Sequence, residues 1–191
     1  MKSNRFGRAE VLDSNQLDLL IEQLPDKTHK PLAQVLRGTA CRVSEARQLK
    51  WYCISPSHII LPKEICKGKL TTREIPLSLE LLQILNSWRT KWSELQGHKP
   101  EPNDYLFPGR DPDHPISRKA FDKALRVATK KTQIQGASSH SFRRSALSSA
   151  SSKGVPLRQI QEISGHKSLA VLQRYLEVTD QQKAEVIDAF A

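Results

Sequence analysis

Residues 138–178 read SSHSFRRSALSSASSKGVPLRQIQEISGHKSLAVLQRYLEV. His140 and Arg143 stand at i and i+3, so in a helix they share one face. Ser138 or Ser139 can cap that helix just ahead of them. A helix start supplies free N–H groups and partial positive charge, Arg143 a bidentate fork, and His140 a group that titrates near neutrality. Together they make a phosphate site. Lys153-Gly154 then reads as a stop, and Pro156 suits the first turn of the next helix, in which Ile160 and Ile163 face inward. Gly165 ends that helix and His166 lies in the turn. Ser168 can cap a further helix whose Leu169, Val171, Leu172 and Leu176 form its buried side. Tyr175 stands seven residues past Ser168 and nine past His166, two turns or about 10 Å along the axis from the cap. Taken alone, it is an amphipathic-helix tyrosine with its ring against Val171 and Leu172.

Outside this stretch the chain is ordinary in hydropathy and unusual in charge. Its 191 residues are 38% hydrophobic and 26% charged, enough for one substantial core in one domain. Thirty Lys and Arg against twenty Asp and Glu leave a formal charge of +10, which favours a polyanion, nucleic acid first, over a neutral small molecule. No apolar run approaches the roughly 18 residues of a membrane span, and the start MKSNRFGRAEVLDS has no signal-peptide core. A cytoplasmic or nucleoid-associated setting is expected, with no membrane partner. Cys41, Cys53 and Cys66 lie 12 and 13 positions apart without a C-x-x-C or a spaced histidine pair. They read as reduced, mostly buried thiols rather than as zinc ligands.

Taken in order, Asp13 or Ser14 opens a helix with Leu17, Leu20, Ile21 and Leu24 at helical spacing, closed by Pro25. A second helix is expected over about 31–37. In 37–49, RGTACRVSEARQL, a short helix starts near Ser44, with Arg42 at or just before its start. By itself Arg42 is a surface arginine. Glu45 is either a first-turn acid complementing the helix dipole or the holder of a nearby guanidinium or imidazole.

From 51 to 77 short β-prone runs, WYCI, HIIL, EIC and TREIPL, are separated by turn residues including Lys67-Gly68-Lys69. They predict a small antiparallel sheet of two or three strands over about 51–76, with a lysine-bearing hairpin tip. Leu81, Leu85, Trp88, Trp92 and Leu95, spaced 4, 3, 4 and 3, predict a buried helix stripe. The Pro- and Gly-rich stretch 97–115 is a loop pinned by Tyr105-Leu106-Phe107. Residues 117–131 predict the most basic helix, with Phe121, Ala124, Leu125 and Ala128 on one side. On another side stand Lys119, Lys123, Arg126 and Lys130, a one-signed face suited to phosphate. Residues 179–191 predict a short helix gripped by Ile187 and Phe190. With Glu177 just ahead of it, this end carries a charge of −3. The fold class expected is α+β, mostly helical, with the small sheet packed on a helical bundle.

In this order and spacing, Arg42, a hairpin lysine, His140-x-x-Arg143, Gly165-His166 and Tyr175 resemble the tyrosine recombinases, the phage-integrase family. The resemblance runs from about residue 9 to residue 178. Arg42 matches the first arginine of the family's box, here TACRVSEARQLKW, Glu45 its acidic companion, and Lys67 the hairpin lysine ahead of REIPL. His140 and Arg143 match the H-x-x-R element, His166 the following histidine or tryptophan position, and Tyr175 the nucleophile. A lone H-x-x-R is a weak signal; the whole set with its nine-residue gap to the tyrosine is specific. Ala40 and Cys41 stand where the family often has glycine and leucine, and Lys69 competes with Lys67 for the lysine role.

The resemblance implies the tyrosine-recombinase catalytic fold and site-specific cleavage and rejoining of DNA through a 3′-phosphotyrosyl link. Arg42 and Arg143 would neutralise the phosphate, His140 assist proton transfer, His166 donate a hydrogen bond, and Lys67 protonate the departing 5′-oxygen. No cofactor and no metal is implied. Lys69, Arg73 and Arg144 join Lys119, Lys123, Arg126 and Lys130 as the cations expected to face DNA. The partner is a duplex recombination site, with a monomer free in solution and a tetramer on DNA, coupled through 179–191. Residues 1–191 are expected to form one catalytic domain without the core-binding domain usual in the family. Two other classes compete: a non-catalytic DNA-binding protein of the same fold, and a phosphoester hydrolase using His140 and His166. A type IB topoisomerase shares the chemistry but fits the spacing less well.

Overall fold

The structure is a computed structural model that describes residues 9–66, 68, 71–176, 178, 180–188 and 190. Asp13 starts the first helix through a reciprocal box: its side chain accepts from Gln16 N at 2.8 Å, while Gln16 Oε1 accepts from Asp13 N at 3.0 Å. This helix, α1 (Ser14–Glu22), buries Leu17, Leu20 and Ile21. The second, α2 (His29–Thr39), is longer at both ends than the expected 31–37 and stops at Ala40, whose φ of 52° is left-handed. A single turn, α3 (Val43–Ala46), follows, with Arg42 as its N-cap residue.

The sheet has two strands among the described residues, β1 (His58–Leu61) and β2 (Arg73–Pro76), antiparallel and in register Ile59 opposite Ile75 and Leu61 opposite Arg73. The runs WYCI and EIC, read as strands from composition, are not strands. Trp51–Cys53 is a 3₁₀ turn whose backbone is taken by the long loop: Trp51 N donates to Asp104 O at 3.1 Å and Tyr52 N to Pro102 O at 2.9 Å. Ile65 and Cys66 donate back to Pro62 O and Lys63 O at 3.1 and 3.2 Å, which makes that segment a turn. With those donors taken by the long loop and by the turn, these runs form no third strand among the described residues.

Ser78 caps α4 (Leu79–Gln96), and Gly97 at φ 78° ends it. Leu81, Leu85, Trp88 and Trp92 are buried, but Leu95, in the last turn, is 43% exposed. Both tryptophans are core residues that also fix the following loop, donating from Nε1 to Leu106 O at 2.8 Å and to Tyr105 O at 3.1 Å. Ser117 caps α5 (Arg118–Thr132), which buries Phe121, Leu125 and Ala128 against α1. Ser138 is the N-cap residue of α6 (Ser139–Ser152), its N–H donating to Ser141 Oγ at 3.1 Å, and the helix packs across α2. Three shorter helices complete the chain: α7 (Leu157–Ser164), α8 (Leu169–Gln173) and α9 (Asp180–Asp188).

The core has two parts. The larger joins α1, α2, α4, α5 and the sheet; the smaller holds Ala40, Leu147, Ile160 and Leu172, with Tyr175 and Leu176 packed against it. The tyrosine therefore sits on a satellite core whose floor is the junction of α2, α6 and α7. Of the apolar side expected for α8, Leu172 is buried, while Leu169 and Val171 are 41% and 39% exposed.

Candidate active site

Arg42 begins as a helix-capping problem. Its backbone N–H donates to Glu45 Oε2 at 3.0 Å and its Nη1 to Glu45 Oε1 at 2.9 Å, so one carboxylate both caps α3 and holds the guanidinium. Glu45 is 1% exposed, and a second arginine shares it: Arg73 Nη2 lies 2.9 Å from Oε2. Burial alone pushes the Glu45 carboxyl up. Arg73, the Arg42 backbone N–H and the Arg42 guanidinium outweigh it and hold the group below its usual range.

Arg143 is 1% exposed on the inner side of α6. Its Nη1 donates to Ala40 O at 2.6 Å and its Nη2 to Ser164 O at 2.8 Å. The left-handed turn at Ala40 thus aims a carbonyl at this arginine, which explains why alanine in the glycine-preferring position leaves the site intact. Nη2 also lies 3.2 Å from His166 Nε2, and Ser164 Oγ lies 2.8 Å from His166 Nδ1. A guanidinium only donates, so Nε2 accepts, Nδ1–H donates to Ser164 Oγ, and Ser164 Oγ–H donates to Gln161 O at 3.2 Å. Burial first, and Arg143 and Arg42 next, lower the His166 pKa to about 4, so the ring is neutral at pH 7. The same burial, followed by repulsion from Arg42, lowers Arg143 to about 10, leaving it charged.

Tyr175 completes the cluster from a segment 32 residues further along the chain than Arg143. Its ring centroid is 4.7 Å from that of His166, and the Arg143 Cζ stands 5.6 Å from its centre. It is not two turns inside a helix. α8 ends at Gln173, and Tyr175 lies in the turn beyond, its N–H bonded to Leu172 O at 2.8 Å. A five-residue helix followed by the β-branched pair Val178-Thr179 has little to propagate it. Among the described residues no partner bonds the Tyr175 hydroxyl.

His140 is exposed at the start of α6, where it lines a groove of about 760 Å³ together with Lys119, Arg126 and Ser138. Lys119, Lys123, Arg126 and Lys130 are all exposed along α5, the arrangement expected from sequence. Arg73 and Arg144, also expected to face DNA, are turned inward. Arg73 is on the same strand face as Ile75, two residues on, and Arg144 donates to Ala9 O, tying the N-terminal segment to α6. Lys67 and Lys69 lie outside the described residues. Sequence reasoning missed Arg73 as a site organiser, and also Ser164, fully buried, whose carbonyl accepts from both Arg73 and Arg143. The period-2 alternation R-E-I was the available signal for Arg73. Ser164 had none, since its part is played by backbone. The three thiols are free, with Cys41 and Cys53 buried.

Fold and site together define a class: a mostly helical domain in which Arg143, neutral His166 and Tyr175 pack together, with the Arg42–Glu45 pair beside them. Residues 10–182 match the model of the phage integrase family, and the chain belongs to that family. It is 29% identical over 182 residues to a tyrosine recombinase of Pseudothermotoga lettingae, covering 93% of this chain and 59% of that protein. The crystal structure of XerA recombinase superposes with a TM-score of 0.77 at 24% identity, over 97% of this chain and 66% of that one. XerH site-specific recombinase, bound to its palindromic difH substrate in a post-cleavage complex, gives a TM-score of 0.77 at 21% identity, over 98% and 55%. The chain spans about half to two thirds of the length of the curated relatives it matches.

Proposed function

We propose that this chain acts as the catalytic unit of a site-specific DNA recombinase, cleaving and rejoining strands through Tyr175. The observation that carries the reading is the Tyr175 ring packed on His166 and over Arg143, a phenol held at an arginine-lined anion site. That XerH, sharing the fold, is captured on its DNA after cleavage supports duplex DNA as the substrate. The Tyr175 oxygen attacks the scissile phosphorus, the bond to the 5′-oxygen breaks, and a 3′-phosphotyrosyl ester forms. The 5′-oxygen leaves with a proton from Lys67, and attack by a partner strand's 5′-hydroxyl reverses the step. One ester replaces another, so no ATP or cofactor is consumed.

Arg42 and Arg143 neutralise the nonbridging oxygens, where negative charge grows. Arg143 Nε is buried without a partner, a donor left over after its two carbonyls are served. His140, on the groove side of the same helix, assists proton transfer. His166 is neutral; offering Nε2–H to the phosphate requires the other tautomer, in which Ser164 Oγ–H donates to Nδ1 and Arg143 Nη2 turns from Nε2 to the phosphate. The exposed cations of α5 hold the duplex along the groove, in the cytoplasm at the nucleoid. Tyr175→Phe binds DNA with unchanged affinity and gives no covalent protein–DNA adduct on a nicked suicide duplex; an adduct from that variant removes Tyr175 from the role.

The unit is proposed to be a monomer free in solution and a tetramer on DNA, coupled through 179–191. In its own chain the apolar grip of this helix is not buried: Val186, Ile187 and Phe190 are 53%, 64% and 78% exposed. Elsewhere a groove of about 270 Å³, lined by Ala40, Ala146, Ala150, Val155, Ile160 and Ile163, is apolar and uncovered. The acidic 177–191 end suits a partner copy with a net positive charge. Deleting 180–191 leaves binding to a half-site within about threefold and abolishes cooperative filling of a full site. Unchanged cooperativity in a gel-shift titration sinks the coupling.

A further inference from the structure

We infer that Arg73 is a positioning residue of this active site: from β2 it holds Glu45, and through Glu45 Arg42, and it ties the lysine-bearing hairpin to the Gly165–His166 turn. The inference rests on the recombinase reading above for its catalytic consequence. Arg73 reaches the site because its strand position puts it inward beside Ile75 and opposite Leu61. Its Nη2 lies 2.9 Å from Glu45 Oε2 and its Nη1 donates to Ser164 O at 2.9 Å. That carbonyl is the one that Arg143 Nη2 reaches at 2.8 Å. One guanidinium therefore links the Arg42–Glu45 pair to the Arg143–His166 group.

The site is shaped for it. Arg73 crosses directly over Gly165, where a Cβ would collide with Nη1, and Gly165 has the left-handed φ of 65°. Further out, a Cβ on Gly68 in the hairpin would stand 3.9 Å from Lys167 Nζ, so hairpin and turn approach each other at tip and base. Among the described residues the charged and titratable groups facing Glu45 include Arg42 and Arg73 in direct contact, with Arg143, His166 and the Cys41 and Cys66 thiols close by. Without Arg73, a carboxyl this buried loses its strongest cation and its protonation moves upward.

The test compares the unaltered chain with Arg73→Met and Arg73→Lys. The first readout uses no DNA: the Glu45 carboxyl is titrated by ¹³C NMR. The second is the rate of covalent adduct formation, from pH 5 to 9, on a nicked duplex carrying a site selected by binding. With Arg73→Met, Glu45 titrates at higher pH, adduct formation at pH 7 falls by about 100-fold, and the acid limb of the rate profile moves upward, while DNA affinity stays within threefold. Arg73→Lys keeps the charge, folds where methionine does not, and falls between the two in every readout. A Glu45 titration that does not move, or a rate profile that keeps its shape in both variants, overturns the assignment. Absence of adduct from the unaltered chain overturns the cleavage reading instead, and the titration reports on Arg73 separately.

Discussion

His166 shows how one buried side chain reports the state of the whole site. Burial and the neighbouring guanidinium of Arg143 hold its pKa at about 4, against an ordinary 6.5. Between these values the unfolded chain binds more protons than the folded one, so stability rises with pH across that window. The contribution is complete above about pH 6.5 and is lost as pH falls towards 4. Glu45 works in the same direction, because its lowered carboxyl pKa also makes stability fall on acidification. Urea midpoints at pH 7 and pH 4.5 check this: His166→Gln narrows the difference by about 2 kcal/mol, since a tenfold change in proton affinity corresponds to about 1.4 kcal/mol. The histidine itself was legible as a site residue from Gly165-His166 and its distance to Tyr175. Its neutrality was not, because that comes first from burial and then from Arg143 and Arg42, which folding brings near it from 23 and 124 residues away.

At the level of elements, the turns that end α2 and α7 do more than stop helices. Each leaves a carbonyl, Ala40 O or Ser164 O, pointing at Arg143. The Gly165 turn also makes room for Arg73, whereas Gly97, equally left-handed at φ 78°, has nothing within 4 Å of an added Cβ. The two glycines therefore separate backbone strain from collision. Gly97→Ala costs about 1 kcal/mol from strain alone, and Gly165→Ala costs more than about 2 kcal/mol because a buried ion-pair network must shift as well. Equal losses in thermal or urea unfolding contradict the role given to Gly165. Caps and periodicity made most elements readable: Asp13, Ser78, Ser117 and Ser168 cap helices through their side chains, and Ser138 holds the N-cap position of α6. The expected strand at Trp51 failed because its N–H groups pair with residues 102 and 104, some 50 positions downstream.

For the molecule as a whole, the +10 charge matters through its placement. Lys119 and Lys123 are exposed on α5, Lys119 lining the groove that holds His140, whereas Arg144 is spent on Ala9 O inside the fold. The double variant Lys119→Ala/Lys123→Ala lowers the slope of log affinity against log salt by about 2, since each phosphate contact contributes about 0.9. Arg144→Ala leaves that slope unchanged, and a salt titration of duplex binding distinguishes them. The sequence by itself determined the helices, the family, and the chain positions of Arg42, His140, Arg143, His166 and Tyr175, because caps, periodicity and spacing are local. Tertiary structure alone decided which arginines stay exposed, as Arg126 does, and which turn inward, as Arg73 and Arg144 do. It also placed Tyr175 beyond a helix end rather than inside one, and made a strand arginine and a buried serine carbonyl the link between the two halves of the site. The physical reason is that pairing and desolvation depend on distances between groups far apart in the chain, and no local pattern encodes those distances.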